Sequence, residues 1–159
     1  MSFRFLNPGR LVDRDLSLVL DRTTIPPPEL DWVPAYHFDM VHTGHHALLG
    51  QITLRVGQGE FLETYAGHIG YTVYPDFRGE HYAARSVKLL LALAWRHNLT
   101  PLWITCNPEN IASRRSCELA GGTFVEIVDL PPGNEMYDEG DRQKCRYRWD
   151  RPRQMFRLK

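Results

Sequence analysis

The chain has no apolar run approaching the roughly 18 residues that a membrane helix needs. Its opening, SFRFLNPGR, lacks the apolar stretch of a secretory leader, so neither a membrane partner nor export is expected. Cysteine is sparse: Cys106, Cys117 and Cys145 are odd in number and widely spaced. That pattern predicts reduced thiols in a cytoplasmic protein, not a disulfide frame. Net charge is also missing, with 19 basic against 19 acidic residues, which argues against a general nucleic-acid binder. Two glycine-rich nucleotide motifs are absent. No strand is followed by the three-glycine dinucleotide fingerprint, and no Gly-Lys-Ser/Thr closes a P-loop. Metal-ligand spacing is missing too. His42, His45 and His46 form the only histidine cluster, and a solvated turn is expected there without a metal.

What remains is an ordinary globular composition, 43% hydrophobic and 24% charged over 159 residues, which fits one domain with a real core. Leu16–Leu20 is a strand candidate, and the prolines within 23–30 make a loop. Tyr36, Phe38 and Met40 alternate with His37 and Asp39, the period of a half-buried strand. With residues 47–56 beyond the His42–His45 turn, they should form a hairpin. The strand 67–74 leads into a helix over about 80–97, with Ala83, Val87, Leu90, Leu91 and Ala94 on one stripe and Arg85, Lys88 and Arg96 facing away. Residues 102–106 read as a buried strand in a parallel pairing. Asn107-Pro108 reads as the start of a second helix, and Gly121-Gly122 as its stop. Residues 123–129 and 144–149 are the closing strands. The strand–helix–strand unit implies a parallel pair with a right-handed crossover.

The turn Arg78-Gly79-Glu80-His81-Tyr82-Ala83 has anion-binding chemistry. It opens a helix, whose first N–H groups lack intrahelical partners and carry the positive end of the dipole. The run resembles the Gln/Arg-x-x-Gly-x-Gly/Ala signature with which GNAT N-acetyltransferases wrap the pyrophosphate of acyl-CoA. Arg78 and Ala83 match its ends, and His81 stands where the second glycine usually is. Residues 110–121 resemble the family's second signature, with Asn110, Ser113 three on, and Glu118 before Gly121. The pair lies in the expected order and covers roughly residues 46–129, so the chain is identified as similar to that family.

The resemblance implies a single domain over residues 1–159. Its fold would be mixed α/β, a twisted sheet of six or seven strands with flanking helices, opened at splayed central strands into an acyl-CoA cleft. It also implies acetyl-CoA as co-substrate. Tyr71, Thr72 and Val73 would offer main-chain partners to the pantetheine arm. Arg78, Gly79, Glu80, His81, Tyr82 and Ala83 would hold the pyrophosphate, with Asn110 and Ser113 on the second helix also contacting the cofactor. Cys117 stands where many relatives carry a proton-donating tyrosine. It is either that acid or inert packing. His68 is the candidate general base or a satisfied structural histidine, with Glu63, Tyr65, His37 and Asp39 as further candidates. The expected reaction is acetyl transfer to a primary amine, on a small molecule or a peptide, by direct attack. A non-catalytic acyl-CoA-binding module is the alternative. The acidic 130–143 connection would favour a cationic acceptor, and a homodimer is allowed without being specified.

Overall fold

Tyr36, Phe38 and Met40 all point inward, as their alternation predicts, and bury against the first helix. The computed structural model describes residues 3–153. Its strands and helices run β1 (Leu11–Asp13), β2 (Leu16–Thr24), β3 (Ala35–His42), β4 (Leu48–Arg55), β5 (Ile69–Val73), α1 (Tyr82–Arg96), β6 (Leu102–Cys106), α2 (Ile111–Leu119), β7 (Thr123–Asp129), α3 (Glu135–Asp138) and β8 (Gln143–Trp149). A π-helical turn at Phe61–Ala66 precedes β5, and a 3-10 turn at Pro75–Phe77 follows it. Among the described residues there are eight strands; β1 is too short to show a period in the sequence.

The strands form two antiparallel sheets, ordered β1-β2-β3-β4-β5 and β6-β8-β7. The expected parallel pairing of β5 with β6 is not made: β6 pairs antiparallel with β8 instead. Among the described residues, hydrogen bonds join the segment entering β5 to β6 at one pair of residues. His68 N–H donates to the Trp103 carbonyl at 2.7 Å, and Trp103 N–H donates to His68 Nδ1 at 2.9 Å. Gly67 makes this approach possible. Its φ is +78°, and a Cβ there would stand 3.0 Å from Thr105 N and 3.2 Å from the Ile104 Cα. Only glycine takes that conformation and that closeness at little cost. Beyond this junction the sheets part, as the family resemblance implies.

Helix α1 lays Val87, Leu90, Leu93 and Ala94 on the first sheet. Leu91 is only half-buried, a correction to the expected stripe, because the buried face is centred on Leu90 instead. Arg85 does not face away either. It donates to Asp13 at 2.6 Å and pairs with Asp15, whose carboxylate also accepts from the Tyr82 hydroxyl at 2.8 Å. The Arg85 hydrogen bond, then that of Tyr82, holds the Asp15 carboxyl down to about 2. These bonds tie the β1–β2 turn to the start of α1. Leu90→Ala should cost about 2–5 kcal/mol in urea unfolding. Leu91→Ala should cost clearly less, and equal losses would mean that the helix buries a different face.

Candidate active site

Because β5 and β6 diverge, β5 pairs only with β4 among the described residues, which leave its other edge open. The direction of its main-chain groups follows from two flanking bonds. Arg55 N–H donates to the His68 carbonyl at 2.7 Å and Tyr74 N–H to the Leu49 carbonyl at 2.9 Å. Alternation then turns the amide groups of Gly70 and Thr72 towards β4 and those of Tyr71 and Val73 towards the opening. Thr72 lines the cleft but has no main-chain group left to offer, a correction to the three-residue expectation. The Val73 carbonyl accepts from Arg78 Nε at 3.1 Å, which folds the arginine across the open edge.

Below this edge lies a cleft of about 590 Å³. It is lined by Tyr71, Thr72 and Val73, by Arg78, Gly79, His81, Tyr82 and Ala83, and by Asn110 and Ser113. The two sequence signatures therefore face one space. Glu80 is exposed and is not part of the lining. The turn needs its glycine, since Gly79 has φ +101°, and His81 takes the left-handed region with φ +61°. A non-glycine residue there costs on the order of 1–2 kcal/mol, which accounts for the glycine usual at this place in relatives. No side chain caps α1 at His81, so its first amides keep their donors for an anion.

Sequence reasoning missed Arg115, which lines the opposite wall with Ala112, Ser116 and Leu119. The signal was present: positions 112, 115, 116 and 119 share one face of α2. Two arginines, Arg78 and Arg115, thus border a cleft that the uncapped start of α1 also lines, a charge pattern suited to phosphates. The helix cap is Asn110, whose Oδ1 accepts from Ser113 N–H at 3.1 Å. Asn107, expected as the cap, instead accepts from Lys144 Nζ at 2.6 Å and donates to Asp141 at 3.0 Å. Asp141 also pairs with Lys144 at 3.1 Å, so this member of the acidic connection is already neutralised.

A second cavity of about 210 Å³ opens between the splayed strands, lined by Ile69, Gly70, Thr105, Cys106, Asn107 and Lys144. Tyr71, Asn110 and Ser113 line both cavities. The Tyr71 hydroxyl lies 2.9 Å from Ser113 Oγ and 3.7 Å from Cys117 Sγ. Burial, then the neighbouring Cys117, pushes the Tyr71 hydroxyl far above its ordinary value, so it stays protonated and can donate.

The two residues singled out for catalysis line neither cavity. Cys117 is 0% exposed behind Tyr71, and burial pushes its thiol up to about 12. His68 is 1% exposed. Its Nδ1 accepts from Trp103 N–H, which leaves the proton on Nε2, facing the Gly57 carbonyl at 3.1 Å. Both ring nitrogens are occupied, so this geometry leaves no lone pair to take a substrate proton.

Burial lowers the pKa of His68, and also those of His37 and His97. For a depressed imidazole, the unfolded chain binds a proton that the folded chain refuses. Its contribution to stability is therefore complete above the ordinary value of about 6.5 and is lost as pH falls below it. Urea midpoints should drop as the buffer is taken from mildly alkaline to mildly acidic. An unchanged midpoint would show that these rings protonate freely in the folded state.

Among the described residues no helix is long and apolar enough to cross a membrane, and no group of three or more His, Cys, Asp or Glu could hold a metal ion. His42 and His45 stack at 3.7 Å, with Gly44 N–H donating to His42 Nδ1 at 3.0 Å.

Comparison with known proteins returns the same family. Residues 24–123 match the family described as "Acetyltransferase (GNAT) domain". None of the curated proteins searched matches the sequence. Among solved structures, the fold resembles a Vibrio cholerae protein assigned as a ribosomal-protein-serine acetyltransferase, at 17% identity and TM-score 0.61 over 92% of this chain and 100% of that one. It also resembles the microcin C7 self-immunity acetyltransferase MccE, solved with acetyl-CoA and AMP, at 14% identity and TM-score 0.57. A third is the ribosomal-protein-S5-alanine acetyltransferase of Vibrio fischeri, at 18% identity and TM-score 0.57. The match covers 73% of this chain in both latter cases but only 61% of those longer chains.

Proposed function

The chain belongs to the GNAT acetyltransferase family, and on that premise we propose that it moves an acetyl group from acetyl-CoA to a primary amine by direct attack. The observation that carries this reading is the shared lining. Tyr71, Asn110 and Ser113 border both the phosphate-suited cleft and the smaller cavity between the strands. A donor in the first and an acceptor in the second would meet at these side chains. Acetyl-CoA supplies the activated thioester. The Arg78–Ala83 turn and Arg115 hold its phosphates, and the open edge at Tyr71 and Val73 aligns its arm as an added strand. The CoA-bearing neighbour structures support the choice of co-substrate.

In our reading the proton duties fall on groups that touch the cleft. Ser113, whose N–H is held by Asn110 and whose Oγ lies 2.9 Å from the Tyr71 hydroxyl, acts as a relay: Oγ–H passes its proton to the leaving thiolate as it takes one up from water in the smaller cavity. His68 becomes a bracket that pins β6 to β5 and sets the angle of the splay. Cys117 packs behind Tyr71. The amine loses its proton to water in the smaller cavity.

The test is acetyl-CoA turnover across a panel of small amines and short peptides, followed by free thiol release and product mass. Transfer to any member supports the reading. CoA-dependent stabilisation without transfer to any member would favour an acyl-CoA-binding module, which the sealed His68 also suits.

A further inference from the structure

Resting on the transfer reading above, we propose that Arg55 selects acceptors that carry a carboxylate a few bonds from the amine. Arg55 lies on β4, on the face opposite α1. Its neighbours Ile52 and Leu54 point into the core, while Thr53 and Arg55 share the other face with His37 and Gly70. No helix covers this face from the β2–β3 connection, because residues 25–34 contain none.

The guanidinium is half-buried, and among the described residues no carboxylate pairs with it. Nη1 donates to the Gly67 carbonyl at 3.0 Å and the Ala66 carbonyl at 3.4 Å, and the Trp32 ring lies 5.8 Å away. These neutral partners fix its direction without cancelling its charge. Nε and Nη2 take no hydrogen bond among the described residues, and neither is sealed from solvent. The Glu63 carboxylate accepts from Gly59 N–H at 3.2 Å and forms no ion pair with Arg55. Half-buried charges are ordinarily paired, so a cation held only by carbonyls is poised for a ligand. Its open fork matches a carboxylate.

Position makes that ligand the acceptor. A Cβ on Gly70 would stand 3.1 Å from Arg55 Nη2. The missing side chain lets the guanidinium lie against β5, one residue before Tyr71. Gly70 itself lines the smaller cavity between the strands. Arg55 itself lines neither cavity; its charge stands beside the smaller one, across the bare Gly70, and not among the residues of the Arg78 and Arg115 cleft. His37 stands on the same face, held between Thr24 Oγ1 at 2.9 Å and Thr53 Oγ1 at 3.3 Å. Asp141, whose partner Lys144 lines this cavity, is bound to that lysine and does not compete.

The test uses matched pairs. Glycine, β-alanine and γ-aminobutyrate are compared with their carboxamides, and Ala-Glu-Ala with Ala-Gln-Ala. Affinity of the N-acetylated products for the CoA-loaded protein is measured by calorimetry, alongside kcat/KM for the amines. At least one carboxylate should bind ten-fold or more tighter than its carboxamide. Arg55→Gln should erase that preference and Arg55→Lys should keep part of it, with CoA binding unchanged in both. A preference confined to the free amino acids identifies a small-molecule acceptor, and one confined to the tripeptides a chain end. Equal binding within every pair, or a preference that survives Arg55→Gln, overturns the proposal. Failure to transfer acetyl to any amine would instead strike the transfer reading, because product binding is scored separately.

Discussion

Gly79→Pro should abolish the stabilisation that acetyl-CoA confers while leaving the unliganded melting temperature nearly unchanged. The ring of proline locks φ at a negative value. Gly79 sits at +101°, so the turn must adopt another path and its amides turn away from the cleft. No atom outside its immediate chain neighbours lies within 4 Å of a Cβ built at Gly79, so the damage stays local. A companion variant, Ala112→Trp, works from the opposite wall. Ala112 is on the outer face of α2 and lines the cleft, so an indole there fills the space without entering the core. At a hundred times its dissociation constant, a ligand stabilises by about 2.7 kcal/mol, a shift easily read in a thermal melt. Wild-type stabilisation in both variants would place the co-substrate elsewhere on the molecule.

The second large effect is on the chemical step. Ser113→Ala should lower kcat by about 10²–10⁴-fold, the usual worth of a positioned proton donor, with acetyl-CoA affinity little changed. Tyr71→Phe removes only the hydroxyl that orients Ser113 and should cost less. His68→Ala separates the two roles considered for that ring. Losing the bracket leaves Trp103 N–H without its acceptor in the interior. The penalty for such an orphaned donor is about 1–3 kcal/mol in stability. Its activity loss should then be the same at every pH. A base would show a loss that shrinks at high pH, where the amine is already deprotonated. A full-rate Ser113→Ala enzyme together with a pH-dependent His68→Ala loss would return the proton chemistry to the histidine.

Much of the cleft was legible before any coordinates. Arg78, Gly79 and Ala83 could be read because an anion-binding turn must combine a cation, a residue free to take positive φ and small side chains over a few consecutive positions. Asn110 and Ser113 follow from the resemblance of residues 110–121 to the family's second signature, whereas capping chemistry alone points to Asn107. The alternation of Tyr36, Phe38 and Met40 likewise carries its own direction, since a strand has period two.

Other features depend on contacts that no local pattern encodes. Asn107 and Asn110 are equally good helix caps by residue type, and Lys144, far along the chain from Asn107, takes the former out of competition. His68 reads as a base or a bracket until Trp103 and Gly57 arrive at its two nitrogens from distant segments. Residues 102–106 fit a parallel or an antiparallel neighbour. Hydrophobicity says that the strand is buried but not against what. The separation of β5 from β6, on which the cleft depends, follows from Gly67 admitting one close approach and from β8 taking β6 as its antiparallel partner. Arg55 is the plainest case. In the sequence it is one of nineteen basic residues, and only the packing of carbonyls, Trp32 and a bare Gly70 around it leaves its charge without a partner among the described residues. Sequence alone determined which residues can bind an anion, start a helix or fill a core, because those are properties of single side chains and short spacings. Tertiary structure decided which of them meet, because burial and pairing are settled by segments far apart in the chain.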